Sequence, residues 1–296
     1  MRKEMRISLV IPTYNRCDLL RRCLRAATTQ THPDYEVIVV DDASTDQTGD
    51  MVQREFPQVR YLRLERNRGP AAARNAGIAI ANGEVIAFTD DDCELPADFL
   101  TRLADGYTAY PDVAGVGGYL GPPDELAHTN LFARYDIYST RVIYRAGDTP
   151  YLGGMECPAG GTNSMSYRRA ILEAVGGFDP TFPVPGGEDA DLKRRVVERG
   201  ERLLYVPVKV THLRPYTLRD AWRQYFTHGR GVVHFERKHL GRPPSRARIA
   251  LRVGVRICRW LPDAVRLGAS LATIKLIMQI ADAAGQWYEL RQRREP

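Results

Sequence analysis

Three segments near the N-terminus share a run of consecutive apolar residues that is followed at once by polar or turn residues. They are ISLVIPTYN (7–15), YEVIVVDDAST (35–45) and GEVIAFTDDD (83–92). A run of β-branched and apolar residues without alternation is typical of a strand that is buried on both faces, as in a parallel sheet. The pattern therefore predicts three buried strands whose carboxyl ends carry polar side chains.

Helical spacing of apolar residues separates these predicted strands. Residues 16–30 and 69–82 fit helices, the second entered through Gly69 and Pro70, and residues 59–67 fit a further strand. Thr45 or Asp46 is placed to cap a helix over QTGDMVQREF (47–56). The alternation of strands and helices predicts right-handed β-α-β crossovers and a doubly wound α/β sheet.

The second half of the chain has a different pattern. Residues 115–165 are rich in glycine and proline, so irregular loops and short strands are expected there. Helices are predicted over 166–180 and 188–200. The segment 201–215 that follows is predicted to contain a strand that ends at His212. We expect a catalytic domain over 1–215 and a helical extension over 216–296.

The expected extension contains a long helical stretch from about residue 245 to the end. Its arginines recur at steps of four, four and three and so share one helix face, while apolar residues occupy much of the rest; they are Arg248, Arg252, Arg256 and Arg259. Such a helix either binds an anionic membrane surface or packs on the catalytic domain with its arginines in solvent.

Composition narrows the class of protein. The chain has 296 residues, of which 44% are hydrophobic and 26% charged, as in a soluble globular protein. No uncharged apolar run reaches 18 residues, and ISLVI before Pro12 is too short for a secretory signal, so a cytoplasmic location is expected. Five scattered cysteines without a C-x-x-C pair indicate neither a disulfide framework nor a zinc site.

Charge adds a preference for anionic partners. The formal net charge is +6 and the pI is near 9.1. Nucleic acid, phosphorylated small molecules and an anionic membrane surface are all compatible with it. No nucleic-acid-binding motif is present and the arginines lie mostly toward the C-terminus, so nucleic acid is not expected as a partner.

The strand EVIAF ends in three consecutive aspartates, Asp90, Asp91 and Asp92. Adjacent carboxylates raise one another's pKa unless a positive charge neutralises them, and a divalent cation does so most directly. Alternation along the chain lets Asp90 and Asp92 point in similar directions with Asp91 opposed. Oxygen ligands of this kind suit Mg²⁺ or Mn²⁺, which take their remaining ligands from water and substrate phosphates.

Four motifs in chain order carry a family resemblance. There is no G-x-x-x-x-G-K-[ST] loop and no G-x-G-x-x-G after the first strand. Instead PTYNR, VDDASTD, NRGPAAARNAG and TDDD follow one another. In order and spacing, residues 6–215 resemble the inverting family 2 glycosyltransferases of the GT-A fold. The resemblance implies a Rossmann-like, mostly parallel mixed sheet and sugar transfer from a nucleotide-sugar donor.

The resemblance also implies roles for individual residues. Asp42 would accept a hydrogen bond from the base, which favours the imide of uracil or thymine although guanine can donate too. Asp92 and His212 would bind Mn²⁺ or Mg²⁺, with Asp91 as a possible substitute for Asp92. Eight further residues are expected to contact the nucleotide sugar: Pro12, Thr13, Tyr14, Arg74, Asp90, Asp91, Gly161 and Thr162.

An inverting transfer further requires a general base that removes the proton of the acceptor hydroxyl. Asp189 in GGEDADLKRR matches the family's E-D motif, and Glu188 would orient it or share the role. The Q-x-x-R-W motif of processive synthases does not occur, which favours a single addition to a carbohydrate or lipid-linked acceptor of the cell envelope. The alternatives are a nucleotidyltransferase, which would want a glycine-rich loop after the first strand, and an inactive sugar-nucleotide-binding protein.

Overall fold

The computed structural model of the chain describes residues 5–182 and 184–292. Within these ranges the strands are β1 (Ile7–Thr13), β2 (Tyr35–Asp41), β3 (Arg60–Arg63), β4 (Val85–Phe88), β5 (Cys93–Glu94), β6 (Gly115–Gly121), β7 (Tyr151–Gly153), β8 (Met165–Arg168) and β9 (Leu203–His212). The α-helices are α1 (Cys17–Ala27), α2 (Thr48–Glu55), α3 (Pro70–Ile80), α4 (Phe99–Ala109), α5 (Leu131–Tyr138), α6 (Arg169–Val175), α7 (Glu188–Glu198), α8 (Leu218–Leu240), α9 (Arg246–Cys258), α10 (Trp260–Leu267) and α11 (Ala269–Gln292).

The described strands form one mixed sheet in the order β3-β2-β1-β4-β8-β6-β9-β5, with β7 paired to β9. The first four strands are parallel, and β1 lies between β2 and β4. Strand order reverses at β1, so the carboxyl ends of β1, β2 and β4 border the kind of crevice in which open α/β sheets bind ligands. The predicted α/β sheet is confirmed.

Antiparallel strands extend the sheet beyond β4. Strand β8 runs antiparallel to both β4 and β6, and the two-residue strand β5 pairs with the end of β9 through Cys93 and His212. These pairings bring the chain before β8 and the end of β9 to the carboxyl end of β4, although both lie far from it in sequence.

Side chains of the parallel strands alternate between two hydrophobic cores. Leu9 and Val39 lie in one core, with helices α1, α2 and α4 over it. Val10 and Val40 lie in the other, together with residues of α3 and α6. Burial on both faces explains why these strands are rich in apolar residues that do not alternate with polar ones.

Two predictions for the second half of the chain were incomplete. Residues 115–165 were expected to form irregular loops and short strands; they contain the strands β6 and β7, but also the helix α5, which was not predicted. Asn130 caps α5, because its side chain accepts hydrogen bonds from the amides of Phe132 and Ala133. The predicted helix over 166–180 begins only at Arg169, after β8, and ends at Gly176 in the left-handed conformation.

The chain divides into two compact units. The first extends to Gly121 and also includes Thr140–Pro180 and Asp189–Leu213, so it contains the whole sheet. The second comprises Pro122–Ser139, Thr181–Glu188 and the chain from Arg214 onward, so it contains α5 and α8–α11. Residues 122–139 and 181–188, which the sequence pattern groups with 1–215, therefore pack with the helical unit.

The C-terminal region is helical as predicted, but it does not form one long helix from residue 245. It divides at Arg259 and again at Gly268, whose φ of 84° lies in the region that glycine favours. Among the helices of residues 5–182 and 184–292, none is both long and apolar enough to cross a membrane.

Helices α8 and α11 pack closely through glycine. A Cβ atom at Gly229 would collide with the carbonyl oxygen of Asp282, and one at Gly285 with that of Phe226.

We expect Gly229→Ala to lower the free energy of unfolding by about 2 kcal/mol or more, because the two helices must move apart. Thermal unfolding measures the loss. Gly254→Ala is the matched control in α9, where no atom lies within 4 Å of the new methyl group, and it should stabilise slightly. Equal midpoints for the two variants would contradict the close packing.

Candidate functional site

The middle one of the three aspartates after β4 has different surroundings from the other two. Asp91 is buried, and its carboxylate accepts hydrogen bonds from Thr13 Oγ1 and Arg16 Nη1, each at 2.8 Å. Asp90 and Asp92 are half-buried, and a ligand oxygen of each lies within 4.8 Å of the other and of Cys93 Sγ. The structure thus separates Asp91, which is bound to β1 and its following loop, from the pair Asp90 and Asp92.

Arg16 balances part of the negative charge. Its Nη1 lies 2.8 Å from Asp91 Oδ1 and 3.0 Å from Asp92 Oδ2. Burial nevertheless raises the pKa of Asp91 to about 6, and the neighbouring Asp92 adds to the rise while Arg16 and Thr13 oppose it. Asp91 therefore takes up a proton at a higher pH than an ordinary aspartate, and its contacts with Thr13 and Arg16 tie it to β1 and the loop that follows.

Asp92 is paired with His212 because of the register between β5 and β9. Cys93 lies opposite His212 in that pair, and the amide of Leu213 donates to the carbonyl oxygen of Asp92 at 2.7 Å. His212 Nε2 consequently lies 3.5 Å from Asp92 Oδ2. Burial alone would raise the pKa of Asp92, but the hydrogen bond and charge of His212, with Arg16, lower it to about 2. Asp92 is thus held as a carboxylate.

Asp90 is held by Arg74 of helix α3. Arg74 is almost fully buried, its Nη2 lies 2.8 Å from Asp90 Oδ1, and its guanidinium group lies 5.5 Å from the ring centroid of Phe178. A buried arginine with a carboxylate partner has a fixed side-chain position. The structure therefore brings together two residues that the sequence analysis assigned separately to the donor.

The donor atoms near β4 fit a hard divalent cation. Asp90 and Asp92 offer carboxylate oxygens within 4.8 Å of each other. Beside them, His212 offers an imidazole whose Nε2 lies 3.5 Å from Asp92 Oδ2 and whose buried Nδ1 has no hydrogen-bond partner within the described part of the chain. Cys93 lies among them, but burial raises the pKa of its thiol and sulfur is a soft ligand. The carboxylates and the imidazole are the ligand types that accept Mn²⁺ or, with more water, Mg²⁺.

Two loops at the carboxyl ends of β1 and β2 support each other. The amide of Asn15 donates to Ser44 Oγ at 2.9 Å, and the amide of Thr45 donates to Asn15 Oδ1 at 2.7 Å. Asn15 and Ala43 have φ values of 52° and 66°, which non-glycine residues adopt only when their surroundings hold them there. These contacts fix the backbone on either side of the expected nucleotide pocket.

The predicted nucleotide residues of these loops lie in different environments. Pro12 and Thr13 are buried, whereas Tyr14 leaves 44% of its surface exposed. Asp42 is buried, and its two oxygens accept hydrogen bonds from the amides of Arg68 and Gly69 at 2.8 and 2.7 Å. Asp42 therefore anchors the loop that leads into α3, and a contact between Asp42 and a base stays a prediction.

The segment that contains Gly161 and Thr162 lies beside the aspartates through the pairing of β4 with β8. Thr89 Oγ1 donates to the carbonyl oxygen of Asn163 at 3.0 Å. Lys193 Nζ donates to the carbonyl oxygen of Cys157 at 2.5 Å, so helix α7 holds the start of the same segment. Thr162 is buried and Gly161 half-buried, and neither has a contact with Asp90–Asp92 that defines its role.

Asp189 lies in the first turn of α7, where its Oδ1 accepts a hydrogen bond from the amide of Ala190 at 2.8 Å. Lys193 follows one turn later on the same face. Burial lowers the pKa of Lys193, and the negative charge of Asp189 is among the charges that raise it. Glu188 is buried and accepts a hydrogen bond from the amide of Gly186 at 2.7 Å. Glu188 thus shapes the loop that precedes the helix.

Sequence reasoning missed Arg16 and Lys193. A signal for Arg16 was available, since it ends the PTYNR motif after β1 and three aspartates end β4, the neighbouring parallel strand. Lys193 carried a weaker signal, its i+4 spacing from Asp189. Its actual partner is a backbone carbonyl oxygen 36 residues away, which spacing does not reveal.

The model of glycosyl transferase family 2 matches residues 8–176, more than half of the chain. The chain belongs to this family. The matched range includes the aspartates after β4, the loops after β1 and β2, and the segment around Gly161. It ends before Glu188, Asp189 and His212.

Two curated family relatives show the range of similarity. An uncharacterized glycosyltransferase of Nostoc sp. is 34% identical over 184 residues, which cover 60% of this chain and 55% of that protein. A glucosyl-dolichyl phosphate glucuronosyltransferase of Haloferax volcanii is 27% identical over 212 residues, 68% of this chain and 66% of that protein. The matches span just over half and just under two thirds of these relatives.

A solved structure is similar over nearly the whole chain. The mannosyltransferase PcManGT from Pyrobaculum calidifontis, in complex with GDP-Man and Mn²⁺, has a TM-score of 0.71 at 22% identity. The likeness covers 99% of this chain and 89% of that one, so it includes the helical C-terminal region. It confirms the GT-A fold.

Proposed function

We propose that this protein is an inverting glycosyltransferase that moves one sugar from a nucleoside-diphosphate sugar to an acceptor hydroxyl. The observation that carries the proposal is the separation of the aspartates after β4 into a buried, bonded Asp91 and an accessible pair, Asp90 and Asp92, beside His212. Membership of family 2 supports the same class of reaction.

A divalent metal ion and the diphosphate belong together in this proposal. Asp92, His212 and Asp90 would hold Mn²⁺ or Mg²⁺, which when bound neutralises charge on the diphosphate leaving group. Arg74 would keep Asp90 directed toward the donor, because their ion pair is buried on the arginine side. The relative PcManGT binds Mn²⁺ with its nucleotide sugar, which supports the need for a metal.

Asp189 is the proposed general base. Its carboxylate takes the proton of the acceptor hydroxyl as the oxygen forms a bond to the anomeric carbon. The bond between the anomeric carbon and the diphosphate oxygen breaks, and the nucleoside diphosphate leaves with the bonding electrons. Attack and departure on opposite faces invert the anomeric configuration. Glu188 fixes the loop in front of Asp189 through its bond to Gly186.

The donor is proposed to carry UDP or dTDP, with Thr13, Tyr14 and Asp42 at the nucleotide and Gly161 and Thr162 near the sugar. GDP is the nucleotide in the PcManGT complex, so a test of the donor includes it. The acceptor is proposed to be a lipid-linked phosphate sugar, which is the kind of compound named in the glucosyl-dolichyl phosphate glucuronosyltransferase of Haloferax volcanii. We further propose that the reaction takes place on the cytoplasmic side in envelope glycan synthesis.

The test incubates the full chain with UDP-, dTDP- and GDP-sugars, MnCl₂ and a short-chain lipid phosphate sugar. We expect each turnover to release one nucleoside diphosphate and to add a single sugar to the acceptor. NMR should show that the anomeric configuration of the added sugar is opposite to that in the donor. Retained configuration would reject the inverting mechanism, and release of a sugar 1-phosphate in place of a nucleoside diphosphate would identify nucleotidyl transfer. Donor binding without any turnover would favour the inactive binding protein.

A further inference from the structure

Helices α9 and α10 turn an apolar face toward solvent. Residues at i, i+4, i+7 and i+11 lie on one side of a helix, and in α9 these are exposed and uncharged: Ala247, Leu251, Gly254 and Cys258. Beside them Val255 leaves 50% of its surface exposed, and Leu251 leaves 69%. In α10, Leu261 and Val265 are four residues apart and are 64% and 84% exposed. We call Leu251, Val255, Leu261 and Val265 the apolar strip.

Arginines of α9 lie beside the apolar strip and contact the neighbouring helices. Arg248 and Arg252 reach the carboxylate of Glu236 in α8 at 3.3 and 3.6 Å, and Arg256 donates to the carbonyl oxygen of Gln279 in α11. Ile249 is the buried residue of α9. A helix on the surface of a globular unit ordinarily buries its apolar side. Here polar contacts hold α9, and the apolar side is left outside.

A basic groove borders the apolar strip. It has a volume of about 370 Å³, and Leu251 and Val255 form part of its wall. Its charged lining consists of Arg252, Arg256, Arg259, Lys275 and Asp263, of which Asp263 is paired with Lys275 at 2.9 Å. Over residues 246–267 the chain has six arginines and one aspartate. The groove therefore suits a phosphate group that lies beside apolar chains.

We propose that α9 and α10 bind the surface of an anionic lipid bilayer. The apolar strip enters the boundary between headgroups and acyl chains, and Arg252, Arg256 and Arg259 bind lipid phosphates at its edge. An interfacial helix needs apolar residues on one face and cations at headgroup level on its flank, which is the arrangement of α9. The inference rests on the helical unit and is independent of the transfer reaction.

Charge favours a bilayer over a second copy of the chain as the occupant. In a symmetric dimer the same surface would meet itself, so the arginines beside the strip would face another set of arginines. The one aspartate of residues 246–267 is already paired with Lys275. An anionic bilayer offers apolar and negative groups together.

The test is flotation of the full chain with vesicles of phosphatidylcholine alone or with about one third phosphatidylglycerol. We expect binding to the anionic vesicles. Leu251→Ser/Val255→Ser should reduce it at least tenfold, and Arg252→Gln/Arg256→Gln/Arg259→Gln about 100-fold, near fivefold for each arginine. If the first variant does not fold by circular dichroism, Leu261→Ser/Val265→Ser replaces it.

Matched controls separate the surface from net charge and general hydrophobicity. Arg54→Gln/Arg102→Gln/Arg199→Gln removes the same charge from exposed positions of the first unit, and Val142→Ser/Leu240→Ser removes two side chains that are each 51% exposed. Both should bind as the parent does. Equal loss in a control and its partner variant would overturn the proposal. Failure of the parent to float with anionic vesicles would also overturn it. So would a parent that binds no lipid and forms a dimer, detected by light scattering, that Leu251→Ser/Val255→Ser dissociates.

Cys258 provides an independent measure of insertion. It is the exposed member of the five cysteines and lies on the same face as Leu251. An environment-sensitive fluorophore on this thiol should shift its emission to the blue on anionic vesicles. An unshifted spectrum on floated protein would show that the apolar face stays in water and would overturn the insertion of the strip.

Discussion

Replacement of Asp189 by asparagine will lower turnover about 1,000-fold while donor affinity stays within twofold. Loss of a general base typically costs two to four orders of magnitude, because the acceptor proton then has no group to take it. Asparagine keeps the size of the side chain and can keep the hydrogen bond from the amide of Ala190. The turnover number at saturating donor and acceptor, together with the donor dissociation constant by calorimetry, measures both parts.

Glu198→Gln is the matched control for this prediction. Glu198 also carries a carboxylate on α7, but at its last position, where it pairs with Arg194 and is 53% exposed. Its loss should change turnover less than twofold. Near-normal turnover in Asp189→Asn would remove Asp189 as the base, and a parallel loss of donor binding would show that Asp189 acts on the donor instead.

Asp92→Asn will abolish the stabilisation that nucleotide and Mn²⁺ give together. At a ligand concentration about 100 times the dissociation constant, binding stabilises the folded state by about 2.7 kcal/mol. A domain of this size then unfolds about 5–10 °C higher. Asp92 is held as a carboxylate beside His212, and asparagine removes the charge that attracts the metal. The effect is measured as the change in unfolding temperature of parent and variant on addition of UDP, dTDP or GDP, each in the presence of MnCl₂ or of a chelator.

The control is Asp98→Asn. Asp98 precedes α4, pairs with Arg102 and is 45% exposed, so its charge lies on the surface of the same unit. It should keep the full nucleotide and metal shift. A shift in the parent that a chelator leaves unchanged would contradict a metal site, whereas an equal shift in Asp92→Asn and the parent would contradict Asp92 as its ligand.

The parallel half of the sheet could be predicted from the sequence because each strand is buried on both faces. The segments Leu9–Ile11 of β1, Val37–Val40 of β2 and Val85–Phe88 of β4 are apolar without alternation, so these strands and their helical connections follow from pattern alone. Helix α5 could not be predicted in this way. It lies in a glycine-rich region, and its start depends on the single side chain of Asn130.

The acidic residues of the candidate site were visible in the sequence, but their partners were only partly so. Adjacent aspartates at a strand end are conspicuous, and their alternation predicts that Asp91 differs from its neighbours. The contact between Asp92 and His212 depends on a two-residue strand, which has no periodicity to detect. The roles of these residues in catalysis stay predictions.

The C-terminal helices show a different limit of sequence reasoning. The spacing of arginines and apolar residues defines two faces of α9, yet it does not tell which face the protein covers. Packing of α9 through Arg248, Arg252 and Ile249 decides this, and it leaves Leu251 and Val255 outside. The choice that the sequence left open between membrane and domain packing becomes a question about one exposed surface.

The pairing of Cys93 with His212 restricts how the chain can change in length. Successive residues of a strand face opposite sides of a sheet, so a single inserted or deleted residue in β9 near this pair would turn His212 away from Asp92. The exposed turn at Arg199 and Gly200, between α7 and β9, has no such constraint. In a comparison of natural variants, we expect length differences in that turn, whereas the spacing between Tyr205 and His212 should vary only in steps of two.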